Sequence, residues 1–481
     1  MKLRNLLLSL SVLSFAAANG AVTMPNIFSD NMVLQADTLA MLRGKATPGA
    51  RVEAKGSWGA TAATKAGNDS VWKMTISTPA ASFEPLTLTV TDKKDGKGIT
   101  FENVLAGEVW IATGQSNMEM PLRGFWNQPV EGGGEQIAFA RKLGQGVRFI
   151  TVPKTVSYEP LDNVDARWVV PSPETAGEFS AVAWYFALAL RDILDVPVGI
   201  VSCAYGGAKV EGYMPSEIIA KYPDRNFEAE KANRDDSFVK HFERVGVMYY
   251  GMIVPIAGYT ARGFLWNQGE SNVGGHDYYP GRQADMLAHW RQLWGNDNMP
   301  FYFVELPGWV YGGVDKTECA LFREAQHKAA ATTPGAYIVC TSDLVYEDEP
   351  DDIHARNKRP IGNRLAQSAA TYTYGLKGIP HLYPTFREAE YKGNTAVLKF
   401  DNTWSGFTPN ENLQGFEVAG ADKVFHKAQA SIGPNLTIVL TCPEVSDIKA
   451  IRYCFRNFAI GRIHDTYGMP LVPFRTDNWE E

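Results

Sequence analysis

The sequence predicts an α/β fold, a three-layer α/β/α domain on a parallel sheet, flanked by an N-terminal and a C-terminal β-sandwich-like module. Three observations carry that reading. Short alternating strands fill residues 22–104, strands alternate with helices over 105–378, and short strands separated by turns return over 379–481. A chain of 481 residues with 45% hydrophobic and 21% charged residues is long enough and apolar enough for several cores.

The first stretch is an address rather than an element. Lys2 and Arg4, the apolar run from Leu6 to Ala18 and the small residues up to Ala21 read as a cleaved secretory signal over residues 1–21. The expectation is a secreted or periplasmic chain with no membrane association after cleavage, because that run is too short to span a bilayer. In the first module Leu86-Thr87-Leu88-Thr89-Val90-Thr91 alternates strictly, and Pro48-Gly49, Gly67-Asn68-Asp69 and Asp95-Gly96 mark turns.

Leu105–Thr113 and Arg148–Val152 then read as strands. Ala181–Leu194 reads as a helix that ends before Val196-Pro197, and Val198–Ser202 as a strand. Strands at Phe264–Trp266, Phe301–Leu306 and Ala336–Thr341 alternate with helices at Gln283–Trp294, Cys319–Ala331 and Asn357–Ala370. Repeated βα units imply a parallel sheet covered on both faces. In the last module Ala396–Phe400, Gly415–Val418, Thr437–Thr441 and Lys449–Tyr453 are the expected strands.

Lys and Arg number 46 against 53 Asp and Glu, a net charge of −7, and loss of Lys2 and Arg4 with the signal takes it to −9. Such a chain, with no block of five like charges, is a poor match for nucleic acid or an anionic membrane. The five cysteines (Cys203, Cys319, Cys340, Cys442, Cys454) lack CxxC spacing, which argues against a zinc ribbon or a redox pair. Cys442 and Cys454 are candidates for one bridge if their strands are neighbours; otherwise all five are buried thiols. No metal-ligating spacing occurs, and neither metal nor cofactor is expected.

Ligands of open parallel sheets bind beyond the carboxyl ends of the strands. Four expected strand ends deliver a serine in Thr113-Gly114-Gln115-Ser116-Asn117-Met118-Glu119, a glycine pair in Cys203-Ala204-Tyr205-Gly206-Gly207, an amide cluster in Asn267-Gln268-Gly269-Glu270-Ser271-Asn272, and an acid–histidine group in Asp351-Asp352-Ile353-His354. These are parts for acyl transfer. A serine hydroxyl needs an imidazole to take its proton, the imidazole needs a partner on its other nitrogen, and the oxyanion needs preorganised donors. Ser116, His354 and Asp351 or Asp352 suit the first roles. The N–H groups of Ser116 and Gly207 and the Gln268 amide suit the last. Ser116 is not in a G-x-S-x-G elbow, which disfavours the common α/β-hydrolase arrangement.

Gly114-Gln115-Ser116-Asn117-Met118-Glu119 resembles the nucleophile block of sialate O-acetylesterases and related carbohydrate acetylesterases of the SGNH-hydrolase superfamily. Trp266 to Asn272 resembles their W-x-Q-G-E-x-N hallmark, and Asp352-Ile353-His354 with Asn357-Lys358 and Gly362 to Ala366 resembles the third. Phe28 to Gln35, Arg323-Glu324-Ala325-Gln326 and Gly468 to Arg475 extend the likeness over nearly the whole mature chain. The resemblance implies Ser116 as nucleophile, His354 as base, and Gly207 and Gln268 as oxyanion donors beside the Ser116 N–H. It gives supporting roles to Gln115, Asn117, Glu270 and Asn272.

The superfamily's acid, three residues before the histidine, selects Asp351, while the family spelling highlights Asp352; a backbone carbonyl is the third way to hold the ring. Ala208-Lys209 and Tyr213 depart from the usual Thr and Trp, and Lys209 is a candidate substrate contact. The implied activity is hydrolysis of O-acetyl esters on glycans, foremost 9-O-acetylated sialic acid, through an acetyl-serine. The alternatives are a deacetylase of xylan or another plant polysaccharide and a non-catalytic glycan-binding protein. The expected partner is the O-acetylated glycan itself.

Overall fold

Six parallel strands form the centre of the fold in the spatial order Ala336–Val339, Phe301–Val304, Gly263–Asn267, Gly98–Gly114, Val198–Ala204, Val147–Thr151. The structure, a computed structural model, describes residues 22–234 and 240–479; the expected signal at 1–21 lies outside the described residues. Successive side chains of a strand point to opposite faces. Ile111, Val201, Phe264, Trp266 and Phe303 accordingly pack with Met286, Leu287, Trp290 and Phe322 on one face. Trp110, Ala112, Ile200, Leu265 and Tyr302 pack with Val182, Trp184, Phe186 and Leu365 on the other. Helices Tyr279–Trp294 and Glu318–Thr332 cover the first face, and Ala181–Leu194 and Arg359–Tyr372 the second.

Local signals set the helix limits. Ser180 caps the Ala181–Leu194 helix by accepting from the Ala183 N–H at 3.2 Å, and Asp195 ends it in the left-handed region. Pro280 opens the Tyr279–Trp294 helix within its first turn, and Gly295 closes it with φ +67°.

The Gly98–Gly114 strand is 17 residues long and runs across residue 104, where composition divides the first module from the α/β region. Its first half pairs antiparallel with Ser82–Asp92, and Val33–Gln35 lies parallel beside Leu105–Gly107. Gln35 ties the module to this strand twice, donating to Glu108 Oε2 at 3.0 Å and accepting from the Val109 N–H at 2.9 Å.

The C-terminal region holds two four-stranded antiparallel sheets around its own core of Leu398, Phe416, Val418, Leu440, Ile451 and Tyr453. Strand Ile438–Thr441, just before Cys442, belongs to one sheet and Ala450–Tyr453, just before Cys454, to the other. No bridge forms: the expected neighbouring strands are not neighbours, and all five cysteines are buried free thiols. The module is latched to the middle domain through buried Asn457, which accepts from the Cys319 N–H at 2.8 Å, and Arg323, which donates to Arg456 O at 2.7 Å. No helix among the described residues is long and apolar enough to cross a membrane.

Candidate active site

The chain leaves the Gly98–Gly114 strand to build two strands on one side of it and returns to build three on the other, so its carboxyl end is the topological switch point of the sheet. Ser116 follows there at once, opening the one-turn helix Ser116–Glu119. Gly114 makes the turn possible. Its φ is +135°, and a Cβ would lie 2.2 Å from Asn267 O.

The glycine pair comes from the adjacent strand. A Cβ on Gly206 would stand 3.5 Å from Ser116 Cβ, and the Gly206 N–H donates to Glu119 Oε2 at 2.6 Å, which pins the turn to the serine helix. The N–H groups of Ser116 and Gly207 donate to nothing among the described residues. Gly207 takes φ +78° with the Phe242 ring 2.8 Å from where a Cβ would be. Ser271 Oγ donates to Gly207 O at 2.8 Å and joins this turn to the amide cluster.

Gln268 sits differently from its expected role. Its two amide hydrogens already go to Ala208 O at 3.1 Å and Asn272 Oδ1 at 2.7 Å, and its oxygen accepts from Tyr279 Oη at 2.8 Å. Fully buried and fully bonded, it braces the glycine loop from below rather than presenting a free donor. Asn272 also accepts from the Val210 N–H at 3.0 Å and donates to Glu211 Oε2 at 3.1 Å. Gln115 accepts from the Gly269 and Ser271 N–H groups. Tyr213 is buried and donates to Gly114 O at 2.6 Å, so it caps the serine strand. Lys209 stands half-buried two residues after Gly207.

Asn117 holds the three blocks together. Its amide donates to Glu270 Oε1 and, at 3.0 Å, to Ile353 O, the residue before His354; its oxygen accepts from Lys358 Nζ at 2.5 Å. Both charged ends of this chain are buried. Burial pushes the Glu270 carboxyl up and lowers the Lys358 ammonium to about 8.

The two aspartates part company. Asp351 is exposed and has no bond to the imidazole. Asp352 Oδ1 accepts from the His354 backbone N–H at 2.9 Å and from Gln128 Nε2 at 2.8 Å. The imidazole partner is Gln128, whose Oε1 lies 2.8 Å from His354 Nδ1. This chain fixes the tautomer. A carboxylate only accepts, so Gln128 turns its NH₂ to Asp352 and its oxygen to the ring, and Nδ1 must donate. The Nε2 lone pair is left free, buried and without a hydrogen-bond partner. Burial first, and the Lys358 charge second, lower His354 to about 4, against the pull of Asp352.

A family model for carbohydrate esterases, the sialic acid-specific acetylesterases, matches residues 106–371. The chain belongs to that family. The matched interval contains Ser116, Gly207, Gln268 and His354. Among curated relatives, sialate O-acetylesterase of Mus musculus is 26% identical over 340 residues, which covers 62% of this chain and 62% of the mouse protein. That of Homo sapiens is 25% identical over 405 residues, 77% of this chain and 74% of the human protein. The chain thus spans about three fifths of the mouse relative's length. A crystal structure of a carbohydrate acetylesterase from Xanthomonas citri superposes with a TM-score of 0.83 at 31% identity, over 95% of this chain and all of that one. Mixed α/β architecture with additional C-terminal sheets is thereby common to both.

Gln128 and Lys358 are the site residues that motif reasoning missed. Lys358 stands inside the third block without a role, and Gln128 lies in a turn with no motif, 226 positions before His354.

Proposed function

We propose that the protein is an exported serine esterase that removes O-acetyl groups from glycans, foremost the 9-O-acetyl group of sialic acid. Ser116 Oγ attacks the acetyl carbonyl while His354 Nε2 takes its proton. The acetyl-serine is then hydrolysed by water activated at the same nitrogen. The N–H groups of Ser116 and Gly207 hold the oxyanion. Asp352 acts on the imidazole through Gln128, and Asp351 has no part. The leader-like residues 1–21 support export, to a periplasm or beyond.

One observation supports this reading above the others: the free, buried His354 Nε2, whose tautomer follows from the Asp352–Gln128–His354 chain. A second reading, deacetylation of xylan or another plant polysaccharide by the same chemistry, is compatible with the likeness to a carbohydrate acetylesterase of unstated sugar. Acetate release from O-acetylated sialoglycan and from acetylated xylan separates the two. Ser116→Ala is expected to abolish acetate release from either, and from 4-nitrophenyl acetate, with an unchanged circular dichroism spectrum. Persisting turnover in a folded variant overturns the mechanism.

A further inference from the structure

Residues 125–128 form a closed turn. The Phe125 N–H donates to Gln128 O at 2.9 Å and the Gln128 N–H to Phe125 O at 3.2 Å, with Asn127 at φ +57°. Both ends touch the same imidazole. The Phe125 ring meets His354 edge-on at 5.1 Å between centroids, and Gln128 Oε1 is the partner of Nδ1. The loop is braced beyond the turn, where the Glu131 N–H donates to Arg356 O at 3.0 Å and Tyr346 Oη to Glu131 Oε2 at 2.6 Å.

Trp126 is at the tip of this turn and is 86% exposed, more than any other large apolar side chain among the described residues. An indole carries one of the largest apolar surfaces of any side chain, and such surface gains most by leaving water. Here it is held out on a braced turn whose two ends, Phe125 and Gln128, contact His354. An acetyl ester offers the enzyme only a methyl and a carbonyl, so selection of one alcohol portion over another has to come from contacts outside the reacting group. In an ester on a ring hydroxyl of a sugar the ring begins one ester oxygen from the carbonyl carbon, and in a 9-O-acetyl sialic acid it begins after three further side-chain carbons. A pyranose ring has apolar C–H faces and a polar rim, and its face matches a flat aromatic surface.

We infer that Trp126 is the platform on which the sugar ring of the substrate stacks while its acetyl group lies at Ser116. This rests on the proposal that the site takes acetyl esters of carbohydrates. Trp126 then selects for a saturated ring and is indifferent to its charge, so it serves acidic and neutral sugars alike.

The test compares an O-acetylated methyl pyranoside with ethyl acetate, which offers no ring to stack; acetate release is followed for the wild type, Trp126→Ala and Trp126→Phe. For Trp126→Ala, kcat/KM on the sugar ester is expected to fall about tenfold, mainly through KM, and on ethyl acetate by a factor at least fivefold smaller. Trp126→Phe is expected to recover most of the loss. An equal fall on both substrates means that the residue only supports the His354 turn, and no fall on the sugar ester means that nothing stacks there. Either result overturns the platform while leaving the esterase reading intact. If the wild type hydrolyses ethyl acetate but no acetylated sugar, the carbohydrate reading itself is overturned, and the platform with it.

Discussion

His354 is poised by its surroundings more than by any single bond. An unperturbed imidazole titrates near 6.5, and this one is lowered to about 4 by burial and by the Lys358 ammonium, with Asp352 opposing. The carboxylates that oppose the burial of that ammonium are Glu270, Asp352 and Glu349. A base must be neutral, so the acid limb of kcat/KM against pH is expected near pH 4. Lys358→Met is expected to move that limb upward, because the repulsion goes while the burial stays. A limb near 6.5 in the wild type refutes this account. The sign for stability follows the same shift. Between pH 6.5 and 4 the unfolded chain takes up a proton that the folded one refuses, so stability falls as pH drops through that window. Gln128→Ala is expected to lower kcat by roughly 10²-fold by freeing the tautomer, and Asp351→Asn to change it less than about twofold; steady-state kinetics on one ester reads both. Spacing brought the Asp351–His354 loop to notice. It did not separate the two aspartates, because an amide from a distant turn occupies the place at which a carboxylate was expected.

Elements were legible where a periodic pattern and a terminal signal agreed. The Ala181–Leu194 helix has the limits expected from its apolar run and the Val196-Pro197 that follows it. The Phe301 and Ala336 strands start where expected and end sooner: the Glu305 N–H makes the last bond across, to Val339 O at 2.9 Å, and the Leu306 N–H turns to Gln326 Oε1 at 2.8 Å. The stretch between the Val198–Ala204 and Gly263–Asn267 strands was illegible. Its described residues include short helical turns such as Val210–Tyr213 and Tyr249–Ile253, held by tertiary bonds like that of Asn272 to the Val210 N–H rather than by periodicity. Gly114 shows how local geometry serves the site: its left-handed backbone and its approach to Asn267 O turn the strand into the serine helix. Gly114→Ala is expected to cost roughly 3 kcal/mol or more, read as a lowered urea midpoint. An unchanged midpoint would mean that the turn tolerates a side chain.

At the scale of the molecule, three regions of pattern became one scaffold. The C-terminal sheets have their own core but are latched by Asn457, by Arg323 and by the Arg475–Glu324 pair, whose Nη2–Oε2 distance is 2.8 Å. Arg323 and Glu324, which open the Arg323-to-Gln326 block, thus face the C-terminal module. Gln326, which closes it, donates to Gln268 O at 3.4 Å and accepts from the Leu306 N–H at 2.8 Å. The long strand has a further consequence. Because one uninterrupted backbone serves the first module and then ends at the serine, cutting the module away would strip residues 98–106 of their antiparallel partner and bare a row of unpaired amides. Such an edge invites pairing with other chains. The smallest fragment able to keep Ser116 in place while staying monodisperse therefore has to start ahead of Asp30, whose carboxylate accepts from the Glu102 N–H of that strand at 2.8 Å, and no trimming to the α/β core alone will do.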